Sequence, residues 1–289
     1  MDMSRFIKIL LIGLAIVLGY GLIINRLAFL PRLGITQNQD NIIRIESELY
    51  RESCGPIVVL GSSIAARMNS MWMSNQLVNL SVKRSGPETG FQLLGGLPNP
   101  PRLVVVELNC VYRQEDKNIT SYFNAYPFEV LRRNVPVLWQ RNHILNVLYS
   151  LECYFRGTLP DDVPSVNSDA RSQPELEAAL KIRFRADNTV PYAATVEMVC
   201  NQVKSRLRDI QAKGCRIAVA WFPMDVHVTE SPNSRAWLQA LHQALPEGEY
   251  SWLKFPEEFQ DRTSDGVHLL PRASFEASQW LLAECHKLL

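Results

Sequence analysis

Two short clusters carry the groups that covalent acyl chemistry needs. Gly61, Ser62 and Ser63 follow the apolar run Pro56 to Leu60 (PIVVL), and Asp265 stands three residues before His268 in the segment DGVH, ahead of the last helical stretch. A serine hydroxyl is a weak nucleophile until an imidazole accepts its proton, and a carboxylate fixes the imidazole's tautomer and steadies the charge it gains. Ser63, His268 and Asp265 can fill these three roles. Spacing alone discriminates poorly: eleven Asp and five His in 289 residues give about 0.2 Asp-x-x-His pairs by chance. Position says more. A serine leaving the carboxyl end of a first strand lies where open α/β sheets take their ligands, and the Asp265 loop can return to the same edge.

The elements that must position these residues alternate along the chain. Short β-branched runs at Ile57 to Leu60, Leu77 to Leu80, Leu103 to Leu108, Arg216 to Phe222 and Tyr250 to Phe255 read as strands buried on both faces. Between and after them, helices are expected from about Ala65 to Ser74, Glu88 to Leu94, Val196 to Lys213, Ser234 to Leu245 and Arg272 to Leu288; Gly95-Gly96 and Gly214 act as stops. The pattern predicts an α/β fold with a doubly wound, five-stranded parallel sheet. It breaks from about 112 to 195. There, Tyr122 to Phe155 carries apolar residues at helical spacing (Phe128, Leu131, Val135, Leu138, Ile144, Val147, Leu148, Leu151), and Thr158 to Pro174 reads as a loop. This is an insertion, a helical lid or docking surface, and its apolar stripe reads first as core packing.

The N-terminus carries a different signal. Ile9 to Ile24 is uncharged and mostly apolar, with Arg5 and Lys8 before it and Arg26 and Arg32 after. With Phe6, Ile7 and a snorkelling Lys8 it approaches the roughly 20 residues that cross a bilayer. Asn25-Arg26-Leu27-Ala28-Phe29-Leu30 lacks a small-x-small cleavage site, which favours an uncleaved signal anchor. Arg5 and Lys8 favour a cytoplasmic N-terminus and an extracytoplasmic remainder. The expected partition is a stub and anchor at 1–30, a stalk or packing helix at 31–55, and an α/β domain at 56–289.

A net charge of +1 and the absence of a basic run argue against a nucleic-acid partner. The six cysteines (Cys54, Cys110, Cys153, Cys200, Cys215, Cys285) include no Cys-x-x-Cys pair, so no usual zinc or redox motif is present. They read mainly as small buried apolar residues.

Taken together, the blocks resemble those of the SGNH (GDSL-type) hydrolase family. Gly61-Ser62-Ser63 matches the family's Gly-Asp-Ser, with Ser63 as nucleophile and Ser62 in place of the Asp. This Gly-Ser-Ser form is similar to membrane-anchored members that act in teichoic-acid D-alanylation and exopolysaccharide O-acetylation. Asp265 and His268 match the final block. The resemblance implies oxyanion donors from the Ser63 amide, from Ser81 or Gly86 after strand two, and from Asn109 after strand three, although Ser81 replaces a Gly and Asn109 stands about two positions early.

Further along, Asp225 and His227 follow the fourth strand and can line the same crevice, as can Ser62. The expectation is a membrane-anchored, extracytoplasmic O-acyltransferase or esterase acting on cell-envelope carbohydrate, an O-acetyl group above all, through a Ser63 acyl-enzyme. It needs no metal or other cofactor. A membrane acyltransferase partner is implied by the anchored relatives. Two rivals stand beside it: a lipid esterase or thioesterase with the apolar insertion as lid, and a non-catalytic subunit that binds glycan or a membrane partner.

Overall fold

The structure is a computed structural model that describes residues 3–27, 29–30, 33–51, 55–68, 76–157 and 173–289. In chain order it runs α1 (Met3–Arg26), α2 (Gln37–Leu49), β1 (Ile57–Leu60), α3 (Ser63–Ala66), β2 (Leu77–Asn79), α4 (Pro87–Leu93), β3 (Leu103–Glu107), α5 (Lys117–Asn124), α6 (Phe128–Asn134) and α7 (Ile144–Arg156). There follow α8 (Gln173–Asp187), α9 (Ala193–Gln211), β4 (Arg216–Trp221), α10 (Val226–Thr229), α11 (Pro232–Ala244), β5 (Ser251–Lys254) and α12 (Pro271–Leu288).

The five strands form one parallel sheet in the order β2-β1-β3-β4-β5. Ile57 pairs with Leu77 on one side and Leu103 on the other, Leu103 pairs with Arg216, and Ala218 pairs with Ser251. Every residue of β1, β2 and β3 is buried. That is why these strands read as unbroken apolar runs rather than alternating ones. On one face Ile57, Val59, Val105, Ala218 and Ala220 pack with α3 and with the small, apolar side of α12 (Ala273, Ala277, Leu281, Cys285). The opposite face carries the alternate residues, and α4 closes on it tightly enough that a Cβ at Gly90 would lie 2.9 Å from Leu60 Cδ2.

Because β2 lies to one side of β1 and β3 to the other, the chain leaves the sheet in opposite directions from β1 and β3. The carboxyl ends of these two strands mark the switch point of the sheet, where open α/β sheets usually take ligands.

The chain divides into two compact units: residues 1–47 with 122–163, and residues 48–121 with 164–289. The second holds the sheet. The first holds α1, the one described helix long and apolar enough to cross a membrane. This division cuts across the expected stalk and splits the expected insertion.

Several local expectations change. The first helix after β1 begins at Ser63 rather than Ala65, and its predicted continuation to Ser74 enters residues 69–75, outside those described, as does most of the loop predicted from Thr158 to Pro174. Helix α8 occupies a stretch where none was predicted. The apolar stripe of Tyr122 to Phe155 is not core: Val147 is buried, but Phe128, Leu131, Leu138, Ile144 and Leu148 are exposed. The five described cysteines are free thiols and buried.

Candidate active site

The turn out of β1 is built around a buried carboxylate. Glu107, the last residue of β3, is fully buried beside Gly61 and Ser62. Its Oε2 accepts from the amides of Ser62 (2.7 Å) and Ala65 (3.1 Å), and its Oε1 accepts from Ser62 Oγ (2.6 Å). Ser62 Oγ in turn accepts from the Ile64 amide at 3.2 Å, so Ser62 is the N-cap of α3. Gly61 has to be glycine here, because a Cβ would lie 2.5 Å from Glu107 Oε2. Asn79, ending β2, donates to the carbonyls of Ala65 (2.8 Å) and Met68 (2.7 Å) and fixes the far end of α3. Ser63 is left as the first residue of α3, half-buried at the carboxyl end of β1.

Burial is the largest influence on Glu107 and pushes its carboxyl above the ordinary range, against the hydrogen bonds of Ser62 and Ala65 and the charge of Arg113. The same burial, with Glu107 nearby, pushes the Cys110 thiol up to about 11.

The second half of the site is a loop closed on itself. Thr263 and Leu269 form an antiparallel bridge, and Ser264 donates its amide to the His268 carbonyl at 2.7 Å. Inside it, Asp265 Oδ1 accepts from the amides of Val267 (3.1 Å) and His268 (2.8 Å), while Oδ2 lies 2.8 Å from His268 Nδ1. The reversal runs through Gly266 at φ +83°. Burial opposes ionisation of Asp265, but the hydrogen bonds and charge of His268 and the two amides outweigh it and hold the carboxyl well below the usual range.

The two halves meet. His268 Nε2 lies 2.9 Å from Ser63 Oγ across a separation of 205 residues. An ionised Asp265 accepts the Nδ1 proton, which leaves Nε2 as acceptor for the serine hydroxyl. This is nucleophile, base and orienting acid in hydrogen-bond sequence.

The remaining sequence-expected residues serve the frame. Asn109 Oδ1 accepts from the Phe222 amide (2.8 Å) and its Nδ2 donates to the Phe222 carbonyl (2.9 Å), so this side chain ties the end of β3 to the end of β4. The Ser81 amide donates to Asn79 Oδ1 at 3.0 Å, and the buried Ser81 hydroxyl has no partner among the described residues. Both amides expected to face an oxyanion are thus engaged elsewhere. Gly86 caps the start of α4 against the Cys110 carbonyl. Asp225 caps α10 and donates its amide to the Gly266 carbonyl at 2.8 Å, bracing the Asp265 loop. His227 pairs with Asp225 at 2.9 Å and is largely exposed.

Glu107 escaped the sequence reading. Its signal was a lone acid at the end of LVVVE: a carboxylate on a strand buried on both faces needs partners. No protein-family model matches the chain, and no curated protein matches it.

Proposed function

We propose that the chain is a membrane-anchored O-acyltransferase or esterase of the SGNH type, working outside the cytoplasm on cell-envelope carbohydrate and carrying an acetyl group on Ser63. The observation that supports this above all is the linked Ser63–His268–Asp265 geometry, 2.9 Å and 2.8 Å between heavy atoms. The parallel sheet with its switch point between β1 and β3 supports a reading as an SGNH-type core in which residues 112–195 are an insertion. Helix α1, with Arg5 and Lys8 at its start, serves as an uncleaved anchor with the N-terminus inside.

Ser63 Oγ attacks the ester carbonyl as His268 Nε2 takes its proton. The Ser63 amide, on the first residue of α3, has no partner among the described residues and is the available donor to the carbonyl oxygen as it gains charge. When the tetrahedral adduct collapses, the C–O bond to the leaving alcohol breaks, His268 returns the proton to it, and an acyl-Ser63 remains. A sugar hydroxyl or water then gives its proton to His268 and attacks the acyl carbon, and His268 passes that proton to Ser63 Oγ as the bond between the acyl group and Ser63 breaks. Asp265 holds the imidazole in the required tautomer throughout.

The test is mass spectrometry of the full-length protein after incubation with p-nitrophenyl acetate. An acetyl adduct on the Ser63 peptide, absent in Ser63→Ala, is expected; an unmodified Ser63 would remove the acyl-enzyme. A strong preference for long-chain esters would replace the glycan reading by a lipid esterase.

A non-catalytic subunit that binds glycan or a membrane acyltransferase is favoured by one observation, the engagement of the Ser81 and Asn109 amides away from Ser63. Full retention of envelope acylation by Ser63→Ala would select it.

A further inference from the structure

Helix α7 turns large apolar side chains outward. Asn146 and Ser150 are fully buried beside Val147 and Cys153, while Ile144, Leu145 and Leu148 are about half exposed and Phe155 is 81% exposed. Most of these buried polar atoms find partners within the same unit: Asn146 Nδ2 donates to the Gln140 carbonyl (2.9 Å), and Ser150 Oγ donates to the Asn146 carbonyl (2.7 Å) and accepts from the Leu33 amide (3.1 Å), while Asn146 Oδ1 has no partner among the described residues. A helix facing water arranges the two classes the other way. In a bilayer, apolar groups face outward and polar ones must be satisfied within the protein.

The position of this segment beside α1 says what covers it. Val137, Leu138 and Ile144 line an apolar cleft of about 440 Å³ with Ile16, Val17 and Tyr20 of α1, and the Tyr20 hydroxyl donates to the Asn142 carbonyl. If Phe6 to Asn25 supplies the roughly 20 residues of a span, Ile16 to Tyr20 lies about 8–14 Å inside its outer end at 1.5 Å per residue. Whatever packs there is at the depth of the acyl chains. The polar complement is also present. Between Phe128 and Arg156 there are four arginines against two glutamates, and Arg132 and Arg141 lie over the rings of Tyr122 and Trp139, 3.9 and 4.2 Å from their centroids. Such aromatic and basic groups sit well at the level of phosphate headgroups.

We infer that residues 128–156 are seated in the bilayer leaflet beside α1, so that the protein holds the membrane by a collar as well as by its span. The occupant of the exposed apolar face is lipid. The inference rests on α1 crossing the bilayer and is independent of the chemistry at Ser63.

The test uses full-length protein reconstituted in vesicles of phosphatidylcholine and phosphatidylglycerol that contain a phospholipid with a diazirine in its acyl chain. After illumination, peptides are mapped by mass spectrometry. Lipid adducts on α1 and on the 128–156 peptides, with none on α9 or α11, are expected. Adducts on α1 alone would overturn the collar while leaving the span. Adducts on neither would remove both, and a dimeric mass of the reconstituted protein in native mass spectrometry, with 128–156 free of lipid adducts, would assign the face to a second copy instead.

Discussion

Glu107 accepts the hydroxyl proton of Ser62 at 2.6 Å, one residue away from the candidate nucleophile. With the two amides that the same carboxyl takes from Ser62 and Ala65, this bond sets the path of the chain from β1 into α3. Glu107 touches none of the reacting atoms. It is a positioning residue, and in the proposed reaction it acts only through where Ser63 stands.

Glu107→Ala therefore unpairs two buried amides and opens a void. Stability should fall by about 2–4 kcal/mol, read as a shifted urea midpoint. Glu107→Gln keeps an oxygen for both amides and should retain most of that stability; an equal loss in the two variants would mean that volume rather than hydrogen bonding matters.

The two site carboxyls should give opposite pH signatures. Asp265 has a lowered folded value, so its contribution to stability is fully present above about pH 4 and is lost as pH falls below that. The gap between wild type and Asp265→Asn should narrow on acidification. Glu107 has a raised folded value, so its contribution is present below about pH 4 and is lost as pH rises through the folded value. Glu107→Gln should gain on wild type as pH rises. Urea midpoints across a pH series check both, and slopes of the same sign would contradict them.

Ser63, His268 and Asp265 should act as one unit. Ser63→Ala and His268→Ala are each expected to lower kcat/KM on an activated acetyl ester by on the order of 10³-fold or more, and the double variant should be no worse than the poorer single one. Additive losses would mean that the two residues serve different steps.

Gly266→Ala should cost about 1–2 kcal/mol, because its backbone occupies the left-handed region and the new methyl would lie 2.6 Å from Leu180 Cδ2. Adding Leu180→Ala relieves the contact but not the backbone. Partial rescue of the thermal midpoint is expected, and complete rescue would show that contact alone sets the cost.

The sheet was legible because its strands are buried on both faces, which leaves runs such as IVVL and LVVV with no helical or alternating period. The contacts among Ser63, His268 and Asp265 have a related origin: a strand end and a closed loop constrain which residues can meet at the carboxyl edge of the sheet. Donor geometry was not legible. Whether the Ser81 or Asn109 amide faces a substrate depends on single hydrogen bonds, to Asn79 and to Phe222, that no spacing encodes. The apolar stripe of 122–155 misled because helical periodicity reports that a helix has an apolar face; it does not report whether protein or lipid meets that face.

The separation of 205 positions between Ser63 and His268 also sets an order in time. A chain made from its N-terminus emerges with Ser63 long before His268. On the proposed chemistry, Ser63 has no base to activate it until the Asp265 loop has been made and has closed on the sheet.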